Sequence, residues 1–482
     1  MSNITEGLVL AGFDTICSSF EHLIPDETKQ KEKVNNKFSL NTRPGLTCYG
    51  AEIIKPSLLK NGLQLHQKAT KKLCNVYDKY HILGKPIYQD SGGFQICKNY
   101  AKPEYCESLA KYYSDFIQDM SSNPKYNDML FFYLDLVTTN GITKEISTKY
   151  MLEFQKQLME KTKNSKGHEN VYLVIQSNNE IVYDTFYHFI RDNGIHEQLN
   201  SHKWAVGGLV VINFNDDQYK VRPYMIGLFD MLDLELDNLK KGIPVYFHIL
   251  GTSSYYEMIL IAWMSILCEY YELPLVFTFD STTHINNVSK AGRLHYYDET
   301  NEEFPFTTID TKEKDLYKIV PNRNGLMNVD YLNKVKNEII SEFDLDETDW
   351  FDKNGRWASQ ASNSMMIYEA YAFGQLYPYI KKVSYEKRDW IINDHTELKY
   401  LMVNLILEKI DYTFKTSCYK PSFDRKVMEK IIRSLEWFEL AIKNKLPNER
   451  KSFQLVHDMC SQNRFLASGS SDDVTKSDFY KI

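Results

Sequence analysis

The sequence lacks the signals that mark several large protein classes. None of its eight cysteines (positions 17, 48, 74, 97, 106, 268, 418 and 460) falls in a CxxC spacing. That leaves no zinc-ribbon or dithiol motif and suits scattered, reduced thiols. The longest apolar run, Met258–Cys268, holds 11 residues with Ser265 inside it, too short to cross a bilayer and suited to a buried helix. Met1–Glu6 carries no basic stretch leading into an apolar run, so we expect no signal peptide, no membrane partner and a cytoplasmic location. No glycine-rich phosphate fingerprint follows a first strand, which argues against a dinucleotide-binding sheet. There is no internal repeat and no low-complexity block. The formal net charge of −7 offers no global basic field for a nucleic acid.

What is present reads as an ordinary globular chain with 43% hydrophobic and 25% charged residues, long enough for one large domain and a smaller one. Short apolar runs recur at residues 86–88, 129–136, 170–177, 203–212, 243–251 and 274–281, with a weaker one at 46–52. Stretches with helical spacing lie between most of them, at 105–121, 144–161 and 255–271. Near-continuous apolar strands alternating with helices indicate a parallel sheet covered on both faces. Their number favours an α/β fold of the (β/α)8 TIM-type barrel over a doubly wound open sheet. From about residue 330 the pattern turns helical, at 327–343, 362–380, 395–414 and 424–446. We therefore expect a barrel over residues 1–330, with insertions, and an α-helical C-terminal region over 331–482. Between Lys381 and Lys451 stand 12 Lys and 4 Arg against 11 Asp plus Glu. This local basic excess makes Lys381, Lys382, Lys387, Arg388, Arg425, Lys426, Lys430 and Arg433 candidates for gripping phosphates. The plainer reading, solvated helix faces, stays open.

In such barrels functional groups stand at the C-terminal ends of strands. Here those ends carry Asp90 in "IYQDSGGFQI", Asp135 in "FFYLD", Gln176 in "YLVIQ", Gly207-Gly208-Leu209 in "AVGGLVV", Gly251 in "FHILG" and Asp280 in "VFTFD". One Asp after a strand is most often a helix cap or a turn residue. Three of them converging on one mouth point to a site.

The run "DSGGFQ" (90–95), followed in order by "LD", "VIQ", "AVGGLVV", "HILG" and "FDS", resembles the signature of the tRNA-guanine transglycosylase family over residues 85–295. The resemblance implies a (β/α)8 barrel and exchange of a base at a glycosidic bond. Such exchange needs a nucleophile that holds C1′ while one base leaves, and a carboxylate can do this. By resemblance Asp280 is that nucleophile. Asp90 is the acid that protonates the departing guanine and later takes a proton from the incoming base. Asp135 and Gln176 match the family's base-reading pair. Ser91, Gly207, Gly208 and Leu209 join the base-binding set, with Phe94 stacking on the base and Leu250 packing its other face.

The chain departs from the bacterial members of that family. It has no CxCxxC zinc cluster, and "STTHINNVSKAGRLHYYD" (281–298) replaces their segment after the nucleophile. Cys418, His457, Cys460 and His395 have no regular ligand spacing, so we expect no metal. These departures resemble the phage-type branch that inserts 7-deazaguanines into DNA and so blocks restriction. That branch implies DNA and a free 7-deazaguanine base, 7-cyano-7-deazaguanine (preQ0) first, as substrates, no cofactor, and the host cytoplasm as location. Three alternatives stay open: tRNA as the substrate, a non-catalytic transglycosylase-like subunit, and a barrel glycosidase, which would leave Asp135, Gln176 and the glycine pair unexplained. Homodimerisation or a helper protein is also undecided.

Overall fold

The computed structural model describes residues 6–38, 43–80, 85–139, 141–176, 188–207, 221–252, 255–281, 283–286, 288, 293–302, 305–310, 328–346, 359–392, 396–410 and 425–445. Eight parallel strands close into a barrel in chain order. They are β1 (Gly7–Ala11), β2 (Arg43–Cys48), β3 (Tyr88–Asp90), β4 (Leu130–Phe132), β5 (Val171–Gln176), β6 (Lys203–Gly207), β7 (Val245–Ile249) and β8 (Leu275–Ser281). Closure is made by β8 on β1, with Val9 opposite Asp280. Helices connect the strands, as the sequence pattern predicts. Pro103–Ser122, Lys144–Thr162 and Tyr255–Tyr270 fall within two residues of their expected bounds. An antiparallel hairpin, β9 (Arg293–Tyr297) and β10 (Phe306–Asp310), follows the barrel and has no counterpart in the sequence reading.

Alternation along the strands divides the side chains between two layers. Tyr88, Phe132, Tyr172 and His248 fill the interior, with the Phe132 and His248 rings 4.9 Å apart and those of Tyr88 and His248 5.5 Å apart. Thr278 and Asp280 share the inward face of β8, while Phe277 and Phe279 face out. Phe279 meets Tyr377 edge to face at 5.0 Å, and Phe277 meets Phe438 at 6.0 Å.

Those partners belong to Ser359–Glu386 and Arg425–Lys445, two of the C-terminal helices. Ser359–Glu386 packs on β1 and on the helices Phe13–Leu23 and Tyr255–Tyr270 that flank the closing seam. It occupies the place of the barrel's eighth helix. One continuous apolar core runs through both expected regions, from Leu8 to Ile442. A boundary at residue 330 thus separates a change of sequence character and leaves the core undivided. No helix among the described residues is long and apolar enough to cross a membrane.

Candidate active site

Asp90, Asp135, Gln176, Gly207 and Asp280 all stand at or just beyond C-terminal strand ends, so the structure brings them to one mouth. The turn after β3 is built by what its glycines allow. Gly92 has φ +92°, a conformation L side chains rarely adopt, and its Cα lies where a Cβ on Gly50 would be, 2.2 Å away. The turns after β2 and β3 therefore touch backbone to backbone. A Cβ on Gly93 would lie 2.2 Å from the Asp135 carbonyl oxygen and 2.7 Å from its Oδ1. The second glycine thus lets β4's carboxylate come against the β3 turn. Gly93→Ala is expected to cost about 3 kcal/mol through this overpacking, read as a lower midpoint in denaturant unfolding with an unchanged slope.

Asp135 is held from two sides. Ser91 Oγ donates to its Oδ1 at 2.9 Å and accepts from the Gly93 amide at 3.2 Å, while Gln176 Nε2 donates to its Oδ2. A Cβ on Gly207 would lie 2.6 Å from Gln176 Nε2, so this glycine makes room for the amide on β5. Gln176 Oε1 is buried with no donor among the described residues. An acceptor stranded beside a carboxylate calls for a ligand with hydrogen-bond donors. Burial, reinforced by the charge of Asp90, pushes the Asp135 carboxyl up to about 7 against the hydrogen bonds from Ser91 and Gln176.

Asp90 ends β3, and Asp280 stands near the end of β8, at the same mouth. Asp90 Oδ2 accepts from the Cys48 thiol at 3.3 Å and its Oδ1 from the Gly92 amide at 3.4 Å. Burial raises its pKa, and the negative charge of Asp280 adds to that. Asp280 Oδ1 accepts from the Gly251 amide at 2.9 Å and faces His248 Nε2 at 3.2 Å.

Of the other expected site residues, Leu250 is partly buried against the core, and its amide bonds to the Val206 carbonyl at 3.0 Å. Gly208, Leu209 and the side chain of Phe94 lie outside what is described, as do Cys418, His457, Cys460 and His395. Among the described residues no cluster of His, Cys, Asp and Glu has the makings of a metal site. Sequence reasoning missed Cys48, Thr278 and His248. Cys48 ends β2, whose Pro44 and Gly45 disguise a strand. Thr278 was legible, being two residues before Asp280 and so on the same face.

Of the residues expected to grip phosphates, Lys381 is engaged elsewhere. Lys381 Nζ bonds to Glu6 at 2.6 Å and to Glu269 at 2.7 Å. Glu6 immediately precedes β1, and Glu269 closes a helix that runs back from the mouth. Lys381 is therefore ion-paired at the opposite end of the barrel, while Lys382, Lys387 and Arg388 are exposed. Arg433 is exposed; the side chains of Arg425, Lys426 and Lys430 are outside the described set.

No protein-family model and no curated protein matches the chain, so its likeness to the transglycosylases rests on these motifs and on where the barrel places them.

Proposed function

We propose that the protein is a transglycosylase that exchanges guanine in DNA for a free 7-deazaguanine. The observation that carries this reading is the composition of the mouth. Asp90 and Asp280 stand at one mouth, close enough for the charge of Asp280 to raise Asp90, and Asp135 and Gln176 bring buried acceptors to the same mouth. Guanine and 7-deazaguanines present N1–H and a 2-amino group next to O6, which this edge fits. A sugar-cleaving enzyme would have use for the two carboxylates and none for the base-reading pair.

In this reading Asp280 attacks C1′ as the bond to guanine N9 breaks, and guanine leaves with the electron pair and a proton from Asp90. The incoming base loses its N9 proton to Asp90 and attacks C1′, releasing Asp280. A guanine in duplex DNA must leave the stack to reach so recessed a site, which makes single-stranded DNA the better substrate. The choice of DNA over tRNA follows the phage-type departures in sequence.

The test is incorporation of labelled 7-cyano-7-deazaguanine into single-stranded DNA, duplex DNA and tRNA by the purified protein. Incorporation into DNA, fastest into single strands, is the expected result. Incorporation into tRNA alone would keep the chemistry and overturn the polymer. Failure with all three by the folded protein would overturn the activity in favour of a non-catalytic subunit.

A further inference from the structure

We propose that His248 is a positioning residue that orients Asp280 so that Oδ2 attacks the sugar while Oδ1 is kept to receive charge when the sugar is released. The inference rests on the transglycosylase reading above. His248 is fully buried inside the barrel, between the rings of Tyr88, Phe132 and Tyr172. Its Nδ1 lies 2.9 Å from Thr278 Oγ1 and its Nε2 lies 3.2 Å from Asp280 Oδ1. A carboxylate acting as the nucleophile can only accept, which requires the proton on Nε2; the tautomer with Nδ1 free to accept then takes the Thr278 hydroxyl as its donor. Thr278 thereby fixes the tautomer that Asp280 needs.

The result is an asymmetric carboxylate. Both donors, His248 Nε2–H and the Gly251 amide, meet Oδ1. Among the described residues none donates to Oδ2, and the side chain is 7% exposed. Oδ2 is therefore the oxygen whose lone pair forms the bond to C1′ as the bond to guanine N9 breaks. In the resulting ester Oδ1 is the carbonyl oxygen, still held by its two donors. When the incoming base attacks C1′, the C1′–Oδ2 bond breaks and its electron pair returns to the carboxylate. Negative charge then grows on Oδ1, where the donors are already aimed. They weaken the nucleophile slightly in the first step and assist its departure in the second, so His248 favours release over capture.

The test compares His248→Leu, His248→Gln and Thr278→Val in the full chain. Single-stranded DNA is the acceptor and 7-cyano-7-deazaguanine the incoming base. The readouts are the denaturant-stable protein–DNA adduct and the rate of base incorporation. His248→Leu is expected to slow incorporation about 100-fold while the fraction of protein held as adduct rises. His248→Gln, which returns an N–H near the position of Nε2, should recover most of the rate. Thr278→Val, close to isosteric and compared at matched thermal stability, should shift both readouts a smaller distance in the same direction. Equal losses of adduct and incorporation in the Leu variant, or a Gln variant no better than Leu at matched thermal stability, would overturn the role of His248 alone. No adduct on any DNA from the unaltered protein would instead overturn the reading on which it rests.

Discussion

Asp280→Ala should abolish exchange, by about 10⁴-fold or more, and no adduct should survive denaturant. Asp90→Asn should cost about 10²–10⁴, and that loss should depend on the leaving base. In the proposed reaction Asp90 neutralises charge on departing guanine. Guanine already methylated at N7 is cationic and leaves C1′ without a proton. DNA carrying 7-methylguanine should therefore give the Asp90→Asn variant near-normal adduct formation, and it should leave Asp280→Ala inactive. A pocket that takes 7-deazaguanines with a substituent at position 7 has space for that methyl group. Equal insensitivity of both variants to the leaving base would remove Asp90 from the acid role. The structure supplies the reason for the pairing. Burial raises the Asp90 carboxyl and the negative charge of Asp280 adds to that, the direction an acid needs if it is to hold a proton for the leaving base. Once Asp280 is consumed in the ester its charge disappears, and Asp90 becomes easier to ionise, as the base role of the second step needs.

The strands that sequence made legible are those buried on both faces. "VYLVIQ" and "LVFTFDS" read as continuous apolar runs because neither face meets water. β1, "GLVLA", is as apolar yet was not singled out, and β2, "RPGLTC", was legible only in its second half, its start hidden by Pro44 and Gly45. The glycines of the "DSGGFQ" turn were legible as a tight turn. That Gly93 exists to admit Asp135 is a fact about a neighbour 42 residues away, and local pattern does not contain it. His248 stood in a quoted motif without a role, because only the closed barrel sets it opposite Thr278 and Asp280. The place of Lys381 was hidden for a related reason. Counting charges along the chain says nothing of which end of a barrel they reach, and Lys381 reaches Glu6 and Glu269 at the far one. Likewise the helical tail looked separate, since the outward faces of Phe277 and Phe279 show that a cover is needed and do not say which helix provides it.

Asp135→Asn should make the protein more stable and its base recognition worse. The folded state holds this carboxyl up at about 7 from an ordinary value of 3.8, chiefly by burial and then by the charge of Asp90. A raised acid binds more protons folded than unfolded between those two values. Its ionisation therefore costs stability progressively as pH rises from about 4 to about 7, and the cost is constant above. Asparagine removes that cost. Its Oδ1 can keep the bond from Gln176, and its amide can donate to Ser91 Oγ. The variant should match the parent near pH 4 and exceed it at pH 8 by on the order of 2–4 kcal/mol, read from denaturant midpoints at the two pH values. Recognition runs the other way. Only the ionised carboxylate accepts from both N1–H and the 2-amino group, so base affinity in the parent should climb through pH 7 and level off. With asparagine the climb should vanish, and at pH 8 affinity for guanine-type bases should fall about 10- to 100-fold, the worth of one or two charge-assisted hydrogen bonds. A pH-independent parent, or a variant that gains no stability at pH 8, would show that Asp135 is ionised in the folded protein across this range. A site that holds an acceptor at the edge of ionisation gives up stability to read the base, and one substitution should expose both sides of that exchange.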